Sequence, residues 1–329
     1  MNIALVKLSS LGDVVHALPA AGALRARFPR ARLAWIVERH EAAVLRGNPA
    51  LDEVVPVDTR GWRRVRTPLG AARAAGELAE LRRHLAAARF DVAVDLQGLV
   101  KSGVLAAATR APLRIGLAAR RCREPLAALF TNHRVTPPAA ARHVVEQCLA
   151  LLEPLGVSGA RVEFPLPCDA AAEARADELL AAAGLKPRDR LVVLNPGAGR
   201  ADKRWPAERF RDLGGRLTTE AGARVLVVWG PEERALAEAV AGGRLALAPP
   251  TDLDALIAVL RRASVVVAGD TGPLHVAAAL GVPCVGLYGP TSAERNGPWR
   301  QRALESPDGR LPSLAVAPVF EAVAEALGP

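Results

Sequence analysis

Short apolar runs alternate with longer stretches of helical period along the whole chain. In the first half, the runs rich in β-branched residues predict strands at Ile3–Val6, Arg32–Val37, Val54–Val57, Val92–Leu96 and Leu113–Ile115. Between them the pattern predicts helices at Ala17–Phe28, Leu69–Ala88, Lys101–Thr109 and Arg142–Leu155. A second series predicts strands at Leu191–Leu194, Arg224–Val228, Val265–Ala268 and Cys284–Leu287. Its helices are expected at Ala170–Ala183, Ala207–Ala221, Glu233–Ala241, Asp252–Arg261 and Leu274–Leu280, with a last helical pattern at Ser313–Leu327. Strand–helix alternation of this kind predicts parallel α/β units. Gly156–Cys168, rich in Gly and Pro and without period, reads as the linker between two such halves. Doubly wound halves carry their ligands at the C-terminal ends of the strands, here expected to face a shared cleft. The polar, glycine-rich segments Leu8–His16, Gln97–Lys101, Asn195–Lys203, Gly230–Glu233 and Gly269–His275 fall at such ends.

The length of 329 residues suits about two domains, and 50% hydrophobic with 23% charged residues excludes a disordered chain. A net charge of +9 points to an anionic partner. Only four of the 43 basic residues are lysines (Lys7, Lys101, Lys186, Lys203), so part of the arginine excess reads as decoration of solvated faces. No apolar run reaches the ~18–20 residues of a membrane span, and Met1–Lys7 reads as a buried strand rather than a leader; the expectation is a soluble, cytoplasmic protein. Cys122, Cys148, Cys168 and Cys284 lie far apart, which predicts reduced core thiols rather than disulfides or a zinc site.

Gly269-Asp-Thr-Gly-Pro-Leu-His275 follows a valine strand and opens a small-residue helix. Such an entry leaves backbone N–H groups and the positive end of the helix dipole facing an anion. Asp270 or Thr271 could equally cap the helix, and His275 could be a satisfied half-buried histidine. After the first strand, Gly12 suggests a tight turn that leaves Asp13 at a helix start, as base or as ordinary cap. Lys203 follows a glycine loop. The chain has no GxGxxG after its first strand, no GxxxxGK[ST], no GxSxG and no HExxH. Asp252-Leu-Asp254 imitates a metal-binding pair but opens a helix and reads as capping. Arg60–Arg66, outside any regular pattern, and the cluster Arg114, Arg120, Arg121 and Arg123 suit phosphates or a small polyanion. With 4% aromatic residues, nucleic acid is the weaker partner for them.

Several motifs together resemble the ADP-heptose:lipopolysaccharide heptosyltransferases nearly end to end. They are Lys7-x-Ser9-Ser10-x-Gly12-Asp13-Val-x-His16, Asp95-x-Gln97-Gly98-Leu99-Val100-Lys101-Ser102 and Arg123-Glu124-Pro125-Leu126-Ala127. Further on stand Asp202-Lys203-x-Trp205-Pro206, Trp229-Gly230, Asp270-Thr271-Gly272-x-x-His275 and Tyr288-Gly289-Pro290-Thr291. The first three favour heptosyltransferase I over the members that add later heptoses. The resemblance implies an α/β chain of GT-B fold, two Rossmann-like doubly wound domains facing a central cleft. The expected layout is an acceptor domain at 1–160, a nucleotide-sugar domain at 161–312, and a helix at 313–329 that crosses back to the first domain.

The activity the resemblance implies is inverting, metal-independent and cofactor-free transfer of L-glycero-D-manno-heptose from ADP-heptose to the inner Kdo of Kdo2-lipid A. It places the enzyme in the cytoplasm, in peripheral contact with the inner leaflet, with no nucleic-acid partner and with the oligomeric state open. The matching residues give Asp13 as base and Lys203 as the cation that aids departure of ADP. Donor contacts fall to Ser9, Ser10, Gly12, Ala198, Gly199, Lys203, Asp270, Thr271, Gly272 and His275, with Glu232 or Glu233 on the ribose. At Gly197–Gly199 the chain has small residues where the family has hydroxyls, so backbone N–H groups are expected to meet the phosphate there. Arg63, Arg64, Lys101 and Arg123 are the expected acceptor contacts. Other readings are a related glycosyltransferase with another ADP-sugar or a later core acceptor, a dinucleotide-dependent oxidoreductase, and a nucleic-acid-binding protein.

Overall fold

The structure, a computed structural model, describes residues 1–328 and divides into two compact units, Met1–Pro167 and Cys168 onward. The first runs β1 (Asn2–Val6), α1 (Leu11–Arg27), β2 (Arg32–Glu38), β3 (Glu53–Val57), α2 (Thr59–Arg64), α3 (Pro68–Ala87), β4 (Val92–Asp95), α4 (Val100–Ala108), β5 (Leu113–Leu117), β6 (His133–Val135) and α5 (Val144–Ala150). The second runs α6 (Ala170–Ala182), β7 (Leu191–Asn195), α7 (Ala207–Thr219), β8 (Arg224–Val227), α8 (Arg234–Ala241), β9 (Ala246–Leu247) and α9 (Leu253–Arg261). It continues with β10 (Val265–Gly269), α10 (Gly272–Ala279), β11 (Cys284–Tyr288), α11 (Ala293–Asn296), β12 (Arg302–Glu305) and α12 (Val316–Leu327).

Each unit holds one six-stranded parallel sheet, in the orders β3-β2-β1-β4-β5-β6 and β12-β11-β10-β7-β8-β9. Both are the order of a dinucleotide-binding fold, whose ligand site lies where the strand order reverses. Those reversal points fall between β1 and β4 and between β7 and β10. The central strands are apolar because both faces are covered. Val192, Leu194, Val265 and Val267 join α7, α8 and α12 in one core cluster, while the alternate residues Val193 and Val266 are just as buried on the opposite face.

Several expectations shift. The segment expected as linker lies against the first unit: Asn48 Nδ2 donates to Pro165 O, and the Pro165 ring packs beside Gly22. The C-terminal helix, expected to cross back to the first domain, buries Val319, Ala322 and Val323 in the second unit's core. The helix expected at Arg142–Leu155 is α5 followed by a short 3-10 turn at Glu153–Leu155. Cys148 and Cys284 are buried, and burial pushes the Cys284 thiol up to about 12; Cys168, expected in the core, is exposed. Asp252 caps α9, accepting from Ala255 N–H at 2.8 Å. No helix among the described residues is long and apolar enough to cross a membrane.

Candidate active site

In the first unit the loop after β1 is held from both neighbouring strands. Leu8 N–H donates to Gln97 Oε1 at 2.6 Å and Gln97 Nε2 donates to Ser9 O at 2.8 Å. On the other side Glu38 N–H donates to Leu8 O at 3.0 Å. Gln97 is itself set by Asp95, which accepts from Gln97 and Gly98 N–H and from Ser102 Oγ. Burial pushes the Asp95 carboxyl up, against these bonds and the nearby Lys7. Gly98 adopts the left-handed conformation, φ 70°, that lets the chain turn from β4 into α4.

Helix α1 begins earlier than its hydrophobic period shows. Gly12 is buried inside its first turn rather than in a tight turn, and the cap residue is Ser10, not Asp13. Asp13 reaches back to accept from Ser10 N–H at 3.0 Å and Ser10 Oγ at 3.2 Å, the acidic half of a capping box. Its side chain remains 41% exposed, so a substrate hydroxyl can reach it. The buried Lys7 ammonium lies 3.8 Å from Asp13 Oδ1 and donates to Leu96 O at 3.0 Å. An exposed carboxylate so fixed can accept a proton from an incoming hydroxyl.

The expected acceptor cations are distributed. Arg63 and Arg64 are exposed on α2, a helix that the sequence pattern misses, and Arg123 is exposed on the segment joining β5 to β6. Lys101 is not a free cation: its ammonium lies 3.2 Å from Glu38 Oε1. Glu38 and Thr59 are not singled out in the sequence, while Lys7 and Gln97 stand in its motifs and hold the loop that leads to Asp13. The one signal for Glu38 is a charge closing a strand that is apolar from Leu33 to Val37.

In the second unit the loops after β7 and β10 converge. Lys203 Nζ is 2.6 Å from Asp270 Oδ2, and His275 Nε2 is 3.1 Å from Asp270 Oδ1. Burial opposes the charge on Asp270, but the hydrogen bonds from His275 and Lys203 outweigh it and hold the carboxyl well below the usual carboxylate range. Asp270 therefore stays ionised throughout the neutral range. Thr271 precedes α10, and its Oγ1 accepts from Asn195 Nδ2 at 3.1 Å rather than from the helix, so no side chain caps the first turn. Gly272 opens α10 and Pro273 follows in its first turn, where a missing N–H costs the helix no bond. Gly269 has no Cβ because Lys203 O would stand 2.7 Å from it, which fixes how closely the lysine loop approaches β10.

The small-residue loop Gly197–Gly199 is anchored by Arg204, which donates to Ala198 O at 2.8 and 3.0 Å. The Ala198 and Gly199 N–H groups have no partner among the described residues. Glu233 turns toward this loop and accepts from Gly230 N–H at 3.0 Å, while Glu232 is exposed at φ 66°. A Cβ at Gly197 would overlap the Glu233 carboxylate. Gly197→Ala is therefore expected to displace Glu233 and raise the Kd for ADP by about tenfold, near 1.4 kcal/mol. Calorimetry checks this, and an unchanged Kd would remove Glu233 from the nucleotide site.

Three comparisons bear on this geometry. The model of glycosyltransferase family 9 (heptosyltransferase) matches residues 78–309. Lipopolysaccharide heptosyltransferase 1 of Salmonella typhimurium is 33% identical over 97% of this chain and 99% of its own length. Among solved structures, the Escherichia coli heptosyltransferase WaaC with ADP superposes with a TM-score of 0.83 at 30% identity, covering 99% of this chain and 100% of that one. The same enzyme with ADP-2-deoxy-2-fluoro heptose gives 0.80 at 31% identity, covering 99% of each chain. The chain belongs to glycosyltransferase family 9, the heptosyltransferases.

Proposed function

We propose that this chain transfers heptose from ADP-heptose, with inversion, to the inner Kdo of Kdo2-lipid A during assembly of the lipopolysaccharide inner core. The observation that carries the reading is the Lys203–Asp270–His275 array at the uncapped start of α10, in a chain of this family. Inversion at the anomeric carbon needs one displacement, hence one base and no covalent partner. Asp13 takes the proton of the acceptor hydroxyl. ADP leaves with growing negative charge, met by the helix N-terminus at Gly272 and by Lys203. The N–H groups of Ala198 and Gly199 add donors for phosphate, and Glu233, rather than the exposed Glu232, takes the ribose hydroxyls. Ser9, Ser10 and Gly12, next to Asp13 in the first unit, are assigned to donor contacts.

Arg63, Arg64, Lys101 and Arg123 are assigned to the carboxylates and phosphates of the acceptor. Arg63→Glu with Arg64→Glu is expected to raise the acceptor KM by about tenfold, or 1.4 kcal/mol, with donor KM unchanged within about twofold. Steady-state kinetics with each substrate varied decides it, and equal loss for both substrates would detach these arginines from the acceptor.

The acceptor is a lipid, and the reading includes peripheral contact with an anionic membrane surface. Leu126 and Leu129 are 65% and 71% exposed on the segment joining β5 to β6, which also carries the exposed Arg120, Arg121 and Arg123. Burying a leucine stabilises by about 1.5–3 kcal/mol, so Leu126→Glu with Leu129→Glu should cut flotation with phosphatidylglycerol vesicles by tenfold or more. Equal flotation of variant and parent chain would count against this surface.

A further inference from the structure

One of the expected acceptor cations, Lys101, and the first residue of the helix that carries two others meet on a buried anion that has no role so far. Glu38, the last residue of β2, is fully buried. Its carboxylate accepts from Thr59 N–H at 3.1 Å, from the Thr59 hydroxyl, and from the Lys101 ammonium at 3.2 Å. Lys101 Nζ also lies 3.4 Å from Thr59 Oγ1. Thr59 opens α2, whose last turn carries Arg63 and Arg64, and Lys101 sits in the first turn of α4. Next to this group, the Glu41 carboxylate is 3.0 Å from the Arg60 guanidinium, a second grip on α2. Through its backbone Glu38 also binds Leu8 O, in the loop that leads to Asp13.

A buried carboxylate is costly unless donors meet it, and an apolar side chain of similar volume often serves stability as well or better. Stability alone is thus a weak reason for an ion pair here. Two features point elsewhere. The Lys101 side chain remains 23% exposed, so its charge is still available to a ligand. Thr59 begins a six-residue helix with a glycine in it, too short to be stable by its own propensity. The placement of Arg63 and Arg64 therefore depends on what holds α2: Thr59 on Glu38 and Arg60 on Glu41, beside the Asp58 cap on Gly61 N–H and Trp62 Nε1 on Glu77.

We propose that Glu38 is a positioning residue for the acceptor: it fixes Lys101 and the start of α2 to one another, so that Lys101, Arg63 and Arg64 present positive charge at a set spacing to a polyanionic sugar. The proposal rests on the assignment of these cations to the acceptor. It is tested with the full chain, using ADP-heptose and Kdo2-lipid A, in a cycle of Glu38→Gln, Lys101→Met and the double variant. Glu38→Gln should raise the acceptor KM about tenfold, with donor KM and ADP Kd within about twofold and kcat at saturating acceptor within about threefold. Because Glu38 and Lys101 act in part as one unit, the double variant should fall well short of the product of the two single losses. Multiplied losses, or a donor KM that moves as far as the acceptor KM, would show a general structural role and overturn the proposal. If Glu38→Gln does not fold, Thr59→Val should raise the acceptor KM severalfold and Thr59→Ser should restore it; a valine variant like the parent overturns it. Parent-chain turnover with an unchanged Glu38→Gln acceptor KM defeats this proposal alone. Absence of any heptose transfer by the parent chain defeats the functional reading and this proposal with it.

Discussion

Asp13→Asn is expected to lower kcat by about 10²–10⁴-fold, the usual scale for removing a general base, while the Kd for ADP stays within about twofold. Asparagine is the informative replacement because Asp13 has two roles. One is local: the carboxylate accepts from Ser10 N–H and so completes the first turn of α1. The amide oxygen of asparagine keeps that bond, so Tm should hardly move. Asp13→Ala removes it as well, at about 0.5–2 kcal/mol for loss of a capping interaction. Comparing the two separates helix capping from chemistry. In the parent, Lys7, anchored on Leu96 O, also faces Asp13 Oδ1; both variants lose that contact, so it does not distinguish them. A near-parental kcat for Asp13→Asn, measured under single-turnover conditions, would leave Asp13 as a helix cap only.

Lys203→Ala should be nearly as damaging, and in a different way. Lys203 meets charge that grows on the departing diphosphate, so its loss should cut kcat by about 10²-fold or more and also raise the donor KM. It also leaves Asp270 with His275 as its remaining partner among the described side chains. Tm must therefore be followed alongside kcat, so that loss of structure is not read as loss of chemistry. Acceptor KM should stay close to the parent's, because Lys203 belongs to the second unit and the acceptor cations to the first. Turnover in excess EDTA belongs to the same expectation, since the positive charge is assigned to Lys203 and the α10 N-terminus. A Lys203→Ala variant with normal kcat, or activity that vanishes with EDTA, would contradict that assignment.

The inner strands were legible in the sequence because they are apolar on both faces; β1, β7 and β10 begin and end within a residue of their apolar runs. The strands that were missed, β6, β9 and β12, lie at sheet edges; β9 is only two residues long and the other two are polar. His133–Val135 contains His and Arg, and Arg302–Glu305 has charges at both ends; backbone pairing with a neighbour forms them, not burial. Helix α2 was missed for a related reason. Thr59-Arg-Gly-Trp-Arg-Arg64 has little helical propensity, and Glu38 and Glu41, distant in sequence, hold its first residues. The start of α1 was hidden because Ser10-Leu-Gly-Asp13 carries a capping pattern rather than a hydrophobic period.

For the site, motif residues with unusual spacing were legible, and Lys203, Asp270 and His275 do converge in space. What the sequence could not give is which cations are already bound. Lys101 looks the same in sequence as Arg63, yet one is paired to a buried carboxylate and the other is exposed. Choosing Glu233 over Glu232 likewise needed the backbone, because adjacent acids differ only in which way the turn sends them.

The most direct test of the central claim is the structure of the product. The chain is incubated with ADP-heptose and Kdo2-lipid A, and the glycolipid is analysed by mass spectrometry and by NMR of the new anomeric centre. The account predicts one added heptose on the inner Kdo, one ADP released per transfer, and an anomeric configuration opposite to that of the donor. Retention of the donor configuration, heptose attached to a later core sugar, or ADP release without transfer would contradict it.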